Sequence, residues 1–292
     1  MVRDTERGGS ALLDEERAHC LRLIAACLDS GLWQEVKGLE DAITTYLDRQ
    51  GWWIERLAAL DMRLTAARKA RARREEALCL NNLGYTCRRR GNLDQAMGWY
   101  EDCLPIVREL EEREGEGIIM SNIARIYTDQ GKYEQALEYY KQDLSICREG
   151  DDRKGEGATL NNIGMLYWTL GKYDEALPYY EQCLPIAREV GHKRLEGSIL
   201  NNIAAIYDAK SEPSKAMEYY KQSLPIRREL GDRDGEARTC WNIGLTCRDM
   251  GNLAKAEEYI SLAVQVAEQI GHPEQEGWRN YLKQVRAKRR GA

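Results

Sequence analysis

The stretch NNIGMLYWTLGKYDEALPYYEQCLPIAREV, residues 161–190, recurs along the chain at a constant interval. Related copies begin at Asn81, Ser121, Asn201 and Trp241, and no insertion or deletion breaks the register between residues 76 and 276. A period of about 40 residues indicates a solenoid, in which each repeat buries its apolar face only against its neighbours. Such an array presents one long surface, so the repeat favours binding over catalysis.

Each copy predicts two helices. In the copy quoted above, Leu160, Ile163 and Leu166 have helical spacing and the first helix ends at Gly171, while residues 172–190 form a second helix. Small residues recur where the helices must cross, because a larger side chain would force the axes apart. We therefore predict an all-α fold, a right-handed solenoid of antiparallel helix pairs with about six to seven helix hairpins. The crossing residues are Gly84, Ala124, Gly164, Ala204 and Gly244 on the first helices and Ala96, Ala136, Ala176, Ala216 and Ala256 on the second.

The composition excludes several functional classes. The net charge is -5, which gives no general attraction to nucleic acid or to an anionic membrane. The N-terminus is polar and no apolar run approaches the roughly 18 residues of a membrane span, so we expect a cytoplasmic protein. The 9 cysteines include no CxxC pair, and Cys103 and Cys183 lie at a position where other repeats have Ser223 and Ala263. No nucleotide-binding, metalloprotease or hydrolase motif occurs, so neither an enzyme nor a cofactor is predicted.

The repeated pattern resembles a known family. Asn-Leu/Ile-Gly/Ala, then Tyr, then Gly-x-Tyr/Leu-x-x-Ala, then Tyr and a small residue is similar to the tetratricopeptide repeat, in the longer form of kinesin light chains and many bacterial signalling proteins. Upstream of residue 81 the pattern weakens, since Ala42 replaces the Asn and Arg56 replaces the Ala. The expected organisation is a disordered N-terminus (1–12), degenerate repeat-like helices (13–80), five repeats (81–270), and a C-terminal capping helix with a basic tail (271–292).

A glutamate also recurs with the period of the repeat, from Glu76 to Glu276. Six aligned carboxylates could form a cation-binding row. We favour a structural interpretation, in which each carboxylate lies in the first turn of a first helix, near the positive end of the helix dipole. An Arg or Lys three residues earlier, as at Arg73, makes an ion pair an additional expectation.

The residues expected to bind a partner are arranged around a recurrent asparagine. In the family, the equivalent Asn points into a concave groove and holds the backbone of an extended peptide, because an amide offers both a donor and an acceptor. The alternative is a structural hydrogen bond to the neighbouring helix, and both roles can coexist. The expected groove residues are Asn82, Asn122, Asn162, Asn202 and Asn242, with Tyr85, Arg89, Arg125, Trp168, Trp241 and Arg248 on the same side.

The composition of this side predicts the chemistry of the partner. Arginine outnumbers aspartate there, and Arg and Trp are the usual residues of binding hot spots. We expect a partner segment with acidic residues beside an apolar anchor, and Trp168 as the main contact. The alternative is that Trp168 and Trp241 only pack against adjacent helices.

Three functional hypotheses follow from the resemblance. The first is a protein-interaction scaffold that binds an extended peptide or partner segment. Its repeats look most like the sensor arrays of bacterial STAND ATPases, although this chain has no ATPase motif. The second is a peptide-responsive regulator similar to quorum-sensing proteins, and the third is a self-assembling structural array.

Overall fold

The computed structural model describes residues 18–291, and the regular structure in this range is entirely α-helical. The predicted disordered segment 1–12 and residues 13–17 of the first predicted helix lie outside the described residues. None of the described helices has the length and apolar character needed to cross a membrane. The helices are α1 (residues 18–29 of the described range), α2 (Trp33–Gln50), α3 (Trp53–Lys69), α4 (Arg73–Arg89), α5 (Leu93–Glu109), α6 (Arg113–Asp129), α7 (Tyr133–Glu149), α8 (Arg153–Thr169), α9 (Tyr173–Glu189), α10 (Lys193–Ala209), α11 (Pro213–Glu229), α12 (Arg233–Asp249), α13 (Leu253–Ile270) and α14 (Gln275–Gly291).

Consecutive helices pack as pairs, and this confirms the predicted all-α repeat fold. The two helices of a repeat contact each other in α4–α5, α8–α9, α10–α11 and α12–α13, and the degenerate pair α2–α3 does the same. In the remaining repeat, the rings of Tyr127 on α6 and Tyr139 on α7 lie 5.6 Å apart. The connections are short because one turn residue adopts positive φ, such as Gly171 at +69°.

The contacts divide the chain into two compact parts, one that ends at Ile146 and one that begins at Cys147. We call them the N-terminal part and the C-terminal part. The N-terminal part is built around buried residues that include Leu60, Leu80 and Tyr100. The C-terminal part has its own core, which includes Tyr220 and Ile243.

Small residues lie at the helix crossings, as predicted. The five second-helix alanines are fully buried, and Gly84 and Gly164 face the rings of the buried tyrosines Tyr100 and Tyr180. A Cβ atom placed on Gly84 would lie 2.6 Å from the Tyr100 ring, and one on Gly164 would lie 2.8 Å from the Tyr180 ring. At these two crossings glycine leaves the space that the ring of a second-helix tyrosine fills.

Cysteine and serine share one buried role in the second helices. Cys183 donates from Sγ to the Gly157 carbonyl at 2.9 Å, and Ser223 donates from Oγ to the Gly197 carbonyl at 2.8 Å. Burial raises the pKa of the Cys183 thiol to about 12, so this side chain stays a neutral donor. Cys103, Cys183, Ser223 and Ala263 are all fully buried, so small side chains fill this position in four repeats.

The degenerate pair α2–α3 keeps the helical register but has polar residues inside it. Arg56, in place of the usual alanine, is 4% exposed and donates from Nε to Thr86 Oγ1 at 3.1 Å. The alanine of other repeats lets two helices approach, so at this position a hydrogen bond replaces close apolar packing.

A buried ion-pair network joins α2, α3 and α4. The Arg63 guanidinium donates to Glu40 at 2.5 Å, to Asp41 at 2.7 Å and to Glu75 at 2.8 Å. Lys37 donates to the same Glu75 carboxylate at 2.6 Å. Burial alone would raise the pKa of Glu75, but the hydrogen bonds from Arg63 and Lys37 outweigh burial and lower it. Each charged group in this network therefore has a partner of opposite charge within hydrogen-bond distance.

The last helix, α14, occupies the register of a first helix and closes the C-terminal core. Trp278 is 5% exposed, and its ring stacks on Trp241 at 4.8 Å and on His272 at 4.8 Å. This helix spans Gln275–Gly291 and has basic residues in its last turn.

Candidate binding face

The asparagine positions define one stripe on each first helix. Residues four before, three after and seven after the asparagine lie on the same side of a helix. α4 contacts α6 in the N-terminal part and α10 contacts α12 in the C-terminal part, so neighbouring stripes lie side by side within a part. We call these stripes the first-helix face: Leu78, Asn82, Tyr85 and Arg89 on α4; Ile118, Asn122, Arg125 and Asp129 on α6; Ala158, Asn162, Met165 and Thr169 on α8; Ser198, Asn202, Ala205 and Ala209 on α10; Arg238, Asn242, Leu245 and Asp249 on α12.

All five asparagines are half-buried, and three have partners within the protein. The Asn202 side chain interacts with the hydroxyl of Tyr180 on α9, which opposes the rise that burial causes in the pKa of Tyr180. Asn242 interacts with the hydroxyl of Tyr220 on α11 in the same way. Asn122 instead donates from Nδ2 to Asn81 Oδ1 on α4 at 3.0 Å. The structural role that was the alternative to peptide binding is therefore present at these three positions.

The two Tyr–Asn pairs have the same separation along the sequence, a regularity that sequence reasoning did not detect. The signal was available, because both members of the pair change together at the end of the array. Ile260 takes the tyrosine place there, and Leu282 takes the asparagine place at the same separation. Both are buried apolar residues in the C-terminal core. At Asn202 and Asn242 the amide is thus coupled to a hydroxyl in the preceding helix.

Asn82 departs from this rule. The residue in the tyrosine place that corresponds to it is Leu60, which is fully buried and has no polar group to offer. Within the described part of the chain, the Asn82 side chain forms no hydrogen bond. A structural partner therefore does not explain the amide at this position.

Two predicted arginines of the N-terminal part are exposed and lack a carboxylate partner among the described residues. They are Arg89 and Arg125. Arg88 differs, because it donates to Asp129 at 2.8 Å. In the C-terminal part, Arg248 donates to Asp249 at 2.7 Å and also contacts the Tyr281 hydroxyl on α14. Of the predicted arginines Arg89, Arg125 and Arg248, only the two in the N-terminal part therefore lack a carboxylate partner among the described residues and can pair with an anionic group of a partner.

The predicted aromatic contacts fall into two classes. Trp241 packs between core residues and α14, with its ring stacked on Trp278 at 4.8 Å. Trp241 and Arg248 therefore pack against an adjacent helix, α14. Trp168 is half-buried beside Tyr173 at 5.0 Å, and Tyr85 is also half-buried, so both retain accessible surface.

Large apolar side chains accompany the asparagines on the face. Leu78 is 46% exposed, Ile118 is 48% exposed and Met165 is 50% exposed. The sequence did not predict the exposure of Leu78 and Ile118, because both also fit the apolar pattern of a buried helix side. Exposed apolar residues next to amides and unpaired cations are the usual composition of a binding surface.

The glutamate row has a structural role. In each of five repeats the carboxylate is buried and accepts from two cations, one three residues earlier and one eight residues earlier at the end of the preceding second helix. For Glu116 these are Arg113 at 2.9 Å and Arg108 at 2.7 Å. Burial would raise the pKa of Glu116, but these hydrogen bonds outweigh it and lower it. The other four glutamates are Glu76, Glu156, Glu196 and Glu236.

The glutamate row changes at the end of the array, where the arginine of the preceding second helix is replaced. Glu268 stands where the preceding repeats have arginine, and Glu276 is exposed. Among residues 18–291, no group of three or more His, Cys, Asp or Glu side chains is arranged to hold a metal ion. The ion pairs favour the structural interpretation over a cation-binding row.

Comparisons with known proteins agree with this fold. The tetratricopeptide repeat profile matches residues 75–149, 155–229 and 195–269. No curated protein matches the sequence. Several solved structures share the fold at low sequence identity. BtubC (BKLC) from P. vanneervenii is 20% identical with a TM-score of 0.68, over 75% of this chain and 92% of that one.

Two further structures come from signalling proteins. A Signal Transduction ATPase with Numerous Domains (STAND) protein with a tetratricopeptide repeat sensor, from Pyrococcus horikoshii, is 17% identical with a TM-score of 0.75. The match covers 94% of this chain and 41% of that protein. The quorum sensor NprR from B. thuringiensis is 20% identical with a TM-score of 0.62, over 94% of this chain and 82% of that one. At these identities the likeness concerns the fold.

Proposed function

Because this chain belongs to the tetratricopeptide repeat family, we propose that it is a protein-interaction scaffold whose first-helix face binds an extended peptide or partner segment. The observation that carries the proposal is Asn82, an amide on the exposed stripe of α4 without a partner in the described chain. An extended segment supplies the peptide groups that such an amide can bond.

The surroundings of Asn82 support binding to a segment with acidic and apolar residues. Leu78 and Ile118 offer exposed apolar surface, and Arg89 and Arg125 offer unpaired positive charge. Ion pairs with such exposed arginines act mainly on the association rate and its salt dependence. In the C-terminal part, Met165 is exposed and Trp168 is half-buried, and both offer apolar contact surface on α8.

The signalling relatives suggest where such binding would be used. The similar structures include a STAND protein sensor and a quorum sensor. The first favours a sensor array that receives a protein segment, and the second a regulator that responds to a free peptide. Both uses require the same face. Self-association through this face is a third outcome, and sedimentation at increasing concentration would detect it.

The test starts from a display library of random linear peptides, because the partner need not be known. Peptides selected on the purified chain are synthesised with a fluorescent label, and their affinities are measured by polarisation. Asn82→Ala is expected to weaken binding about two- to tenfold, the effect of one hydrogen bond, without a change in melting temperature. Asn202→Ala is expected to lower the melting temperature as well, because it removes the bond to Tyr180.

The control is Glu181→Ala, a change of an exposed residue on the second helix α9. It should alter neither affinity nor stability. If no linear peptide is enriched, or if Asn82→Ala and Glu181→Ala bind the selected peptides as tightly as the unchanged chain, the proposed role of the first-helix face is wrong.

A further inference from the structure

The region around Arg89 contains a preorganised cation. The guanidinium carbon lies 5.2 Å from the ring centroid of Trp53 on α3 and 5.9 Å from that of Tyr85 on α4. Nη1 donates to the Tyr85 hydroxyl at 3.2 Å. Two aromatic rings from different helices therefore hold the side chain, and each contact is a favourable cation–π interaction.

This arrangement leaves most of the guanidinium available. Arginine has five N–H donors, and within the described residues Arg89 uses one of them. The side chain is exposed and has no carboxylate partner there, whereas the adjacent Arg88 is paired with Asp129. A guanidinium fixed in place by rings loses little rotamer entropy when it binds an anion in a bidentate manner.

Exposed apolar residues on α3 and α4 indicate the kind of segment that would carry the anion. Ile54, which follows Trp53 in the sequence, is 69% exposed, and Leu78, farther along the α4 stripe beyond Asn82, is 46% exposed. These apolar surfaces suit a side-chain carboxylate carried by a segment with apolar residues. Asn82 lies seven positions before Arg89 on the same stripe. Seven residues of helix rise about 10 Å, which an extended chain spans in about three residues.

We propose that Trp53, Tyr85 and Arg89 form a binding site for one Asp or Glu side chain of the bound segment, about three residues from the peptide group held by Asn82. This inference rests on the proposed function and deepens it. The site fixes the register of the segment along the N-terminal part, because an acidic residue at another position cannot reach the held guanidinium. Trp53 and Tyr85 are positioning residues that act through Arg89.

Peptide selection on three forms of the chain tests the site. Linear peptides of one fixed length are selected on the unchanged chain, on Arg89→Gln and on Arg125→Gln. Arg125 is an exposed arginine of the same face that has no ring beneath it among residues 18–291. On the unchanged chain and on Arg125→Gln, the enriched peptides should carry Asp or Glu at one fixed position relative to an apolar residue. On Arg89→Gln, peptides should still be enriched, but without that fixed acidic position.

A binding cycle then measures the interaction. Changing the fixed Asp to Asn, or Glu to Gln, in a selected peptide should weaken binding to the unchanged chain about tenfold, as expected for a charge-assisted hydrogen-bonded pair. It should have little effect on binding to Arg89→Gln. Enriched peptides without a fixed acidic position, or an equal loss on both forms, would overturn the Arg89 site while leaving the proposed function intact. A failure to enrich any peptide would overturn both.

Discussion

Arg63→Ala is expected to destabilise the N-terminal part by about 3–5 kcal/mol, because it leaves a buried carboxylate without its cation. The Arg63 side chain is 8% exposed and that of its partner Glu40 is 3% exposed, so water cannot replace the lost ion pair. Glu75 would keep Lys37. Urea unfolding with hydrogen-exchange mass spectrometry should show the loss first in α2 and α3, since a repeat array unfolds by neighbouring units.

Two controls separate this effect from the loss of an ordinary ion pair. Arg68→Ala removes a side chain that is 51% exposed from Glu76, which retains Arg73, and should cost under about 1 kcal/mol. The double change Arg63→Met with Glu40→Leu removes both buried charges and should recover most of the lost stability. A loss below about 1 kcal/mol for Arg63→Ala, or a double variant less stable than the single one, would contradict the importance of the network.

Trp278→Ala is the second large change, with an expected loss of about 3–5 kcal/mol from the C-terminal part. The alanine would remove the ring that stacks on Trp241 and His272 and would leave a cavity beneath α14. We expect α14 to lose its hydrogen-exchange protection and Trp241 fluorescence to shift toward that of an exposed indole.

Gln284→Ala, an exposed change on the same helix, provides the comparison and should leave both signals unchanged. If Trp278→Ala retains the protection of α14 and loses less than about 1 kcal/mol, the helix does not depend on this stack for its attachment.

The period of the repeat was sufficient to predict the fold. It placed the helix pairs from Asn81 onward, their glycine turns and the buried alanines, because local helical spacing and steric limits at crossings are readable from one sequence. The repeat also predicted one of the two cations that pair with each buried glutamate. The partner three residues earlier was expected, but the partner eight residues earlier was missed because it lies on the preceding helix.

Polar contacts between residues that lie far apart in the sequence could not be predicted from the repeat. Arg56 and Arg63 were departures from the repeat pattern, and only the packing of α2, α3 and α4 shows what they bind. The same holds for the asparagines. Their recurrence predicted a binding ladder, whereas the hydroxyls of Tyr180 and Tyr220 give Asn202 and Asn242 structural partners. Asn82 lacks such a hydroxyl because Leu60 takes the place of the tyrosine.

The central claim is that ligands bind on the first-helix face, and photo-cross-linking tests it most directly. A benzoylphenylalanine would replace Leu78 or Met165 on this face, or Glu101 or Glu181 at matched exposed positions on second helices. Labelled peptides selected on the unchanged chain would be irradiated with each variant. We predict cross-links from the Leu78 or Met165 position and none above background from Glu101 or Glu181. Cross-links from the second-helix positions alone would contradict the account.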